Sequence, residues 1–238
     1  MYQDFDEEER SGSTRARVSA LRRALKARKL SGFLVPHGDE HQAALERLSW
    51  LTGFTGSAGT AIVLEKNAAL FVDGRYTLQG REQADTSLFE VLVSPEAKPS
   101  QWIIAKLPKG SLLGYDPKLH TVREIERLSE TLAKSGITLE AVATNPIDRL
   151  WKKRPAAPSG PIVPHGMEFA GERAEDKIAK VQATLVADKA DALLLTQLDS
   201  IAWLFNIRGG DVRHAPVADS FAIVPSKGRP TLFVDPTK

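Results

Sequence analysis

The sequence predicts an α/β protein in which one domain occurs twice and the second copy is truncated. Two observations predict this fold class: amphipathic helices alternate with short apolar strands, and part of that alternation recurs later in the chain. Residues 14–35 have the pattern of a helix followed by a strand, and residues 174–195 repeat that order. The apolar stripe of the first helix is also kept in the second, where Val18, Leu21 and Leu25 match Ile178, Val181 and Leu185.

The repeat extends beyond the helix and its strand. Three further blocks occur in the same order in both copies: Trp50-Leu51 with Trp203-Leu204, Ala61–Val63 with Ala222–Val224, and Leu70–Asp73 with Leu232–Asp235. After Asp73 the first copy continues with predicted helices at 76–84, 101–107 and 122–134, and with predicted strands at 88–93, 111–115 and 137–142. This alternation predicts a mixed or mostly parallel sheet flanked by helices.

These patterns divide the chain into four segments. Residues 1–13 are predicted to be a disordered acidic lead-in, and residues 14–144 form the first copy of the domain. Residues 145–170 are a proline-rich linker, and residues 171–238 are the first half of the second copy. The linker is predicted to be stiff and extended because proline restricts both itself and the residue before it.

Two further expectations concern the linker and the second copy. The apolar side chains of Leu150 and Trp151 are expected to pin the linker to a domain surface. The second copy has no match to residues 88–142, so its sheet is expected to have an unpaired edge and an uncovered apolar face. We therefore expect the chain to be a piece of a longer polypeptide, or to need the missing half from elsewhere.

Composition excludes several classes of function. The 238 residues contain no cysteine, which excludes disulfides, thiolate metal sites and a cysteine nucleophile. A net charge of +2 gives no electrostatic reason to expect nucleic acid, and the apolar runs are too short to span a membrane. No signal peptide is apparent, and a cytoplasmic location is predicted. The predicted helix over Arg15–Lys29 is locally basic, and its charged face is either simply solvated or binds an acidic partner.

The glycine-rich segment GFTGSAG, Gly53 to Gly59, has the spacing of a phosphate-binding loop. A β-type run follows it, however, so no helix N-terminus is available to an anion. The glycines are expected to allow positive φ or close backbone approach at the entry to a strand. The segment His37–His41 is predicted to be a loop at the end of a strand, either an exposed polar loop or part of a site. The other histidines, His120, His165 and His214, are not expected to bind metal.

Arg75 is the candidate binding residue. It belongs to the segment DGRY, Asp73 to Tyr76, which follows a predicted strand and begins a predicted helix. The Asp73 carboxylate can cap that helix, and Arg75 can then point outward as a fixed cation for a carboxylate or carbonyl. The alternative is that Arg75 only pairs with Asp73 or another acid. The sequence shows no nucleophile with its base and no closed set of metal ligands, so no catalytic residue is predicted.

These blocks resemble one known family. The segments from Arg47 to Asp85 and from Asn145 to Pro155, together with the second copy, are similar to the N-terminal region of Xaa-Pro aminopeptidases. The resemblance implies two creatinase N-terminal-type domains, the second truncated here, that precede a metallopeptidase domain in the family. In that domain two divalent ions, usually manganese, are held by two Asp, one His and two Glu. A hydroxide that bridges the metal ions attacks the carbonyl before proline.

The resemblance also implies roles for this chain. Arg75 matches a substrate-contacting arginine, whereas the segment after His41 lacks the family's Glu-Tyr, so His41 is not assigned to the site. The expected partners are the catalytic domain of the same polypeptide, an Xaa-Pro peptide and a second subunit, and the chain by itself is expected to bind no metal and to be inactive. Two other readings remain: a stand-alone pseudo-peptidase binding module, and a creatinase-like hydrolase, against which the two-domain repeat argues.

Overall fold

The structure is a computed structural model that describes residues 14–38, 47–212 and 214–238. The predicted lead-in at 1–13, and His41 with the rest of residues 39–46, lie outside the described residues. By its contacts the chain divides into a first unit, up to Arg154, and a second unit, from Pro155 onward. Among the described residues, no helix combines the length and the hydrophobicity that crossing a bilayer requires.

The first unit is a six-stranded mixed sheet with helices on both faces, as predicted. The strands lie in the order β4-β3-β2-β1-β5-β6; β1, β2 and β3 are antiparallel neighbours, and the other three pairings are parallel. The elements are α1 (Thr14–Ala27), β1 (Gly32–Pro36), α2 (Arg47–Thr52), β2 (Gly59–Leu64), β3 (Ala68–Asp73), α3 (Thr77–Gln83), β4 (Glu90–Ser94), α4 (Pro99–Lys106), β5 (Leu112–Tyr115), α5 (Val122–Ala133), β6 (Thr138–Ala141) and α6 (Pro146–Leu150).

The two faces of this sheet bury two separate hydrophobic clusters, because alternate residues of a strand point to opposite faces. On one face, Phe33 and Val63 pack with the apolar stripe of α1. On the other face, Leu34, Ile62 and Phe71 pack with residues of α4 and α5, among them Trp102, Ile103 and Leu132. Each fully buried side chain of this size contributes about 1.5–3 kcal/mol to stability.

Two predicted elements differ from the structure for local reasons. The first helix ends at Ala27 rather than near residue 30, because Lys29 has a left-handed φ of 58° and the N–H of Leu30 turns back to the carbonyl of Leu25. The predicted linker begins as a helix, α6, rather than as an extended chain. Pro146 is compatible with the first turn of a helix, and the Asn145 side chain caps it by accepting the N–H of Ile147 at 3.0 Å.

The end of α6 and the residue after it are anchored to the first unit, as expected. Trp151 stacks on Trp50 with ring centroids 5.5 Å apart, and Leu150 packs against the core. Two ion pairs that the sequence did not suggest share one carboxylate here: Asp148 accepts from Arg47 at 2.7 Å and from Arg154 at 2.7 Å. Residues 146–154 therefore belong to the packing of the first unit.

The second unit repeats the central three strands of the first. Its sheet has the order β11-β10-β8, all antiparallel, and the pairing of Ile223 with Leu194 reproduces the pairing of Ile62 with Leu34. A separate two-stranded sheet joins β7 and β9. The elements are β7 (Val163–Pro164), α7 (Met167–Ala170), α8 (Ala174–Ala187), β8 (Ala192–Leu195), α9 (Leu198–Leu204), β9 (Ile207–Arg208), β10 (Phe221–Pro225) and β11 (Thr231–Phe233).

Each unit also contains a cationic side chain on one helix that binds the C-terminal end of another helix. In the second unit, Lys177 of α8 donates to the carbonyl of Trp203, at the end of α9, at 2.8 Å and lies 4.4 Å from the centre of that indole ring. In the first unit, Arg17 of α1 donates to the carbonyl of Trp50 and lies 5.0 Å from its ring. A cation at this point satisfies a helix C-terminal carbonyl and the face of an aromatic ring at once.

Candidate functional site

The candidate site lies at the edge of the first sheet where β1 and β3 end and β2 begins. Polar side chains of three segments meet this edge: His37 follows β1, Ser57 precedes β2, and Arg75 follows β3. The strands hold these segments in register, since the N–H of His37 donates to the carbonyl of Gly59 at 3.0 Å and Gly59 pairs with Val72. A strand end of an open α/β sheet is a common position for a ligand site.

Asp73 shapes the turn that presents Arg75. Its carboxylate accepts the backbone N–H of Arg75 at 2.9 Å and caps a single 3₁₀ turn, Gly74–Tyr76, that leads into α3. Asp73 therefore acts as a cap, but the prediction that it caps the α-helix is wrong: the N-cap of α3 is Tyr76, because the single 3₁₀ turn lies between Asp73 and that helix.

The Arg75 side chain is paired and exposed at the same time. Its Nη2 donates to Asp73 Oδ2 at 2.6 Å, while 68% of the side chain remains accessible to solvent. This hydrogen bond lowers the pKa of the Asp73 carboxyl and raises that of the Arg75 guanidinium. The structure thus contains the ion pair that the sequence left as an alternative, and the guanidinium still faces outward.

Tyr76 supports Arg75 from a second side. The guanidinium carbon lies 5.1 Å from the centre of the Tyr76 ring, and the Tyr76 hydroxyl is 2.7 Å from Ser57 Oγ. The hydrogen bond to Ser57 also lowers the pKa of the Tyr76 phenol. The sequence pattern did not predict that Ser57 and Tyr76 support Arg75, although Ser57 lies in the glycine-rich segment and Tyr76 in DGRY. Together with Asp73 they restrict the positions that Arg75 can take.

The glycine-rich segment enters a strand, as predicted. Gly53 has a φ of 85°, and Gly59 opens β2, so this segment presents no helix N-terminus to a phosphate. Thr55 ties the segment to α3, because its N–H donates to the side-chain carbonyl of Gln83 at 2.9 Å. The segment is therefore a scaffold for the edge that carries Arg75.

The second unit forms the same aspartate turn without an arginine. Asp235 is the counterpart of Asp73, and its carboxylate accepts both the N–H of Thr237 at 2.9 Å and the Thr237 hydroxyl at 2.7 Å. Thr237 occupies the position of Arg75. Because threonine suffices for this turn, the guanidinium of Arg75 is not needed to form it.

The histidines that the structure describes lie in separate local environments. His120 is buried beside Glu124, with its Nδ1 3.5 Å from the carboxylate, and this contact lowers the pKa of Glu124. His165 stacks on Phe169, and His214 has a left-handed φ of 65°. Within the described residues, no group of three or more His, Cys, Asp or Glu side chains is placed to hold a metal ion.

Comparison with known proteins gives one consistent result. Residues 17–150 and residues 153–238 match two families that carry the same description, creatinase/prolidase N-terminal domain. Probable Xaa-Pro aminopeptidase P of Blastomyces gilchristii is 39% identical over 233 residues, and that of Paracoccidioides lutzii is 37% identical. Each alignment covers 94% of this chain and 38% of the relative, so the chain spans well under half of their length.

A solved structure supports the same relationship. The X-prolyl aminopeptidase of Caenorhabditis elegans, described as a cytosolic enzyme with a di-nuclear active site, is 28% identical and superposes with a TM-score of 0.84. The superposition covers 95% of this chain and 39% of that enzyme. Both units of the chain thus have relatives among longer Xaa-Pro aminopeptidases.

Proposed function

Since the chain belongs to the creatinase/prolidase N-terminal domain family, we propose that it is the non-catalytic N-terminal portion of a proline-specific metalloaminopeptidase. In this role it shapes the substrate entrance, and Arg75 contacts the peptide. The main support for this role of Arg75 is the difference between the two aspartate turns. The turn forms with Thr237 in the second unit, yet the first unit places an exposed arginine there and supports it with Asp73 and Tyr76.

The chemistry available to Arg75 is recognition. A guanidinium presents N–H donors in a planar fork that suits a carboxylate or a peptide carbonyl. The hydrolytic step would be supplied by two divalent ions, which we propose to be manganese, in the catalytic domain of the longer polypeptide. The described residues of this chain offer no ligand cluster for such ions, so we assign no proton transfer or bond cleavage to them.

Substitution of Arg75 in the natural-length protein tests this role. We expect Arg75→Ala to lower kcat/KM for an Xaa-Pro peptide by roughly 5- to 150-fold, as for the loss of one charged hydrogen bond in the transition state. Arg81→Ala is the matched control, because Arg81 is an exposed arginine of α3. Equal activity of the Arg75→Ala variant and the wild type would remove Arg75 from the site.

A second candidate function is a stand-alone binding module. The exposed apolar face of the second sheet favours it, because such faces are usually covered by a partner. The natural-length protein, supplied with manganese and assayed on Xaa-Pro peptides, separates the two functions, since only the first predicts hydrolysis. In the first function the partners are the catalytic domain of the same polypeptide and a second subunit, and we propose a cytoplasmic location.

A further inference from the structure

A surface cavity of about 470 Å³ lies at the opposite edge of the first sheet from Arg75, where β2 ends and β3 begins. Its lining is strongly basic. The described residues contribute one acid, Glu65, and five cations, namely Arg22, Lys26, Lys29, Lys66 and Lys106. The volume is within the range of small-molecule sites, about 300–1,000 Å³.

The five cations come from three separate segments that surround the cavity. Three come from α1 and the turn after it, Lys66 from the turn between β2 and β3, and Lys106 from the end of α4. Within residues 14–38, 47–212 and 214–238, none of the five forms an ion pair. The described lining thus has four more cations than acids, and a bound anion would balance this excess positive charge.

The second unit shows that the charge of Arg22 is not required by the fold. Arg22 Nε donates to the carbonyl of Leu64, at the end of β2, at 2.8 Å. Its counterpart is Gln182 of α8, whose side-chain amide donates to the carbonyl of Pro225, at the end of β10, at 2.8 Å. A neutral amide therefore makes the same helix-to-strand contact. Burial also lowers the pKa of Arg22, which shows that its charge lies in a partly desolvated place.

The same comparison shows that the fold does not require the charge of Lys26. It lies in the last turn of α1, where a cation stabilises the helix dipole. In α8 the corresponding residue is Val186, and that helix has no basic residue in its last turn. The helix thus forms without this charge, and the first unit alone carries both cations next to its cavity.

We propose that this cavity binds a small, multiply charged anion of the pyrophosphate class, held by Arg22, Lys26 and the lysines of the two neighbouring segments. A compact polyanion matches the excess of cations over acids around the cavity. Arginine and lysine together are typical ligands of phosphate groups. The site is separate from Arg75, and it does not depend on peptidase activity.

The test is isothermal titration of inorganic pyrophosphate into the natural-length protein at constant ionic strength. The double variant Arg22→Gln/Lys26→Val installs the pair of residues found in the second unit, so it is expected to fold normally by circular dichroism. We expect the wild type to bind pyrophosphate and this variant to bind at least about tenfold more weakly. The control, Arg23→Gln/Lys134→Gln, removes the same charge from exposed positions outside the cavity and should keep its affinity.

Three results obtained with the wild type and the double variant would overturn the proposal, and a fourth concerns the control. They are the absence of binding to the wild type, equal affinity of the wild type and Arg22→Gln/Lys26→Val, and equal binding of citrate, which would show that the cavity does not distinguish phosphate from carboxylate anions. Loss of binding in the control variant as well would show a general charge effect, and it would also contradict the site.

Discussion

The two units have the same three central strands, but one face of those strands is buried in the first unit and exposed in the second. Leu34 and Phe71 are each 3% exposed, whereas their counterparts Leu194 and Phe233 are 62% and 50% exposed. In the first unit, α4 and α5 cover this face; the described residues of the second unit contain no counterpart of these helices. The difference shows that the strand pattern encodes burial on both faces even where only one face is covered.

The largest expected effect is the truncation of a phenylalanine on this face. We expect Phe71→Ala to lower the free energy of unfolding of the first unit by about 3–5 kcal/mol, because it leaves a cavity beside Trp102. Phe233→Ala should cost the second unit less than about 1 kcal/mol, since that ring is half exposed. Amide hydrogen exchange measured separately in β3 and β11 reports each unit, and similar losses in both would contradict the comparison.

A second prediction concerns Lys177, the cation of the second unit that corresponds to Arg17 of the first. Lys177 is 2% exposed and donates to both the Trp203 carbonyl and the Asn206 side chain. Lys177→Met keeps most of the side-chain volume but leaves these acceptors unpaired, and it should destabilise the second unit by about 1.5–3 kcal/mol in denaturant unfolding. Lys180→Met, which removes an exposed ion pair with Glu172, is the control and should change stability by less than about 0.5 kcal/mol.

A third and smaller effect is the pH dependence of the two aspartate turns. The pKa of Asp73 is lowered mainly by the Arg75 side chain, and that of Asp235 by the N–H and hydroxyl of Thr237. A depressed folded-state pKa contributes stability above the ordinary pKa of aspartate, about 3.9, and this contribution is lost as the pH falls through the folded value. In NMR titrations, Arg75→Thr should change the Asp73 midpoint and leave that of Asp235 unchanged; a change at Asp235 would show that the two turns are coupled.

Much of the fold was predictable because local sequence patterns specify its helices and strands, and because part of that pattern occurs in two copies. The alternation of helix and strand patterns predicted the first unit to within a few residues at most element ends, and the recurrence of the Leu70–Asp73 block located the second sheet. The order of the strands was not predictable in the same way. The placement of β5 beside β1 depends on pairing between Phe33 and Gly114, which are distant in sequence.

The site was predictable only in part, because its geometry is made by contacts between separate segments. The DGRY motif indicated Arg75 as a candidate, and local chemistry predicted that the Asp73 carboxylate would act as a cap, although on a 3₁₀ turn and not on the helix. The contact of Tyr76 with Ser57 joins DGRY to the glycine-rich segment, and neither motif by itself predicts it. The basic cavity was missed for the same reason, since Lys66 and Lys106 are far from α1 in sequence. An alignment of the two copies contains a signal for the cavity, because the charged Arg22 aligns with the neutral Gln182.

The most direct test of the account is the exchange of Arg75 for the residue that the second unit uses. In the natural-length protein, Arg75→Thr introduces threonine, the residue that forms the corresponding aspartate turn at Thr237 in the second unit. We expect an unchanged midpoint of unfolding and a kcat/KM for an Xaa-Pro peptide that is lower by roughly 5- to 150-fold. Full activity of this variant would show that Arg75 does not contact the substrate, and a loss of activity only in proportion to a loss of folded protein would show that its role is structural.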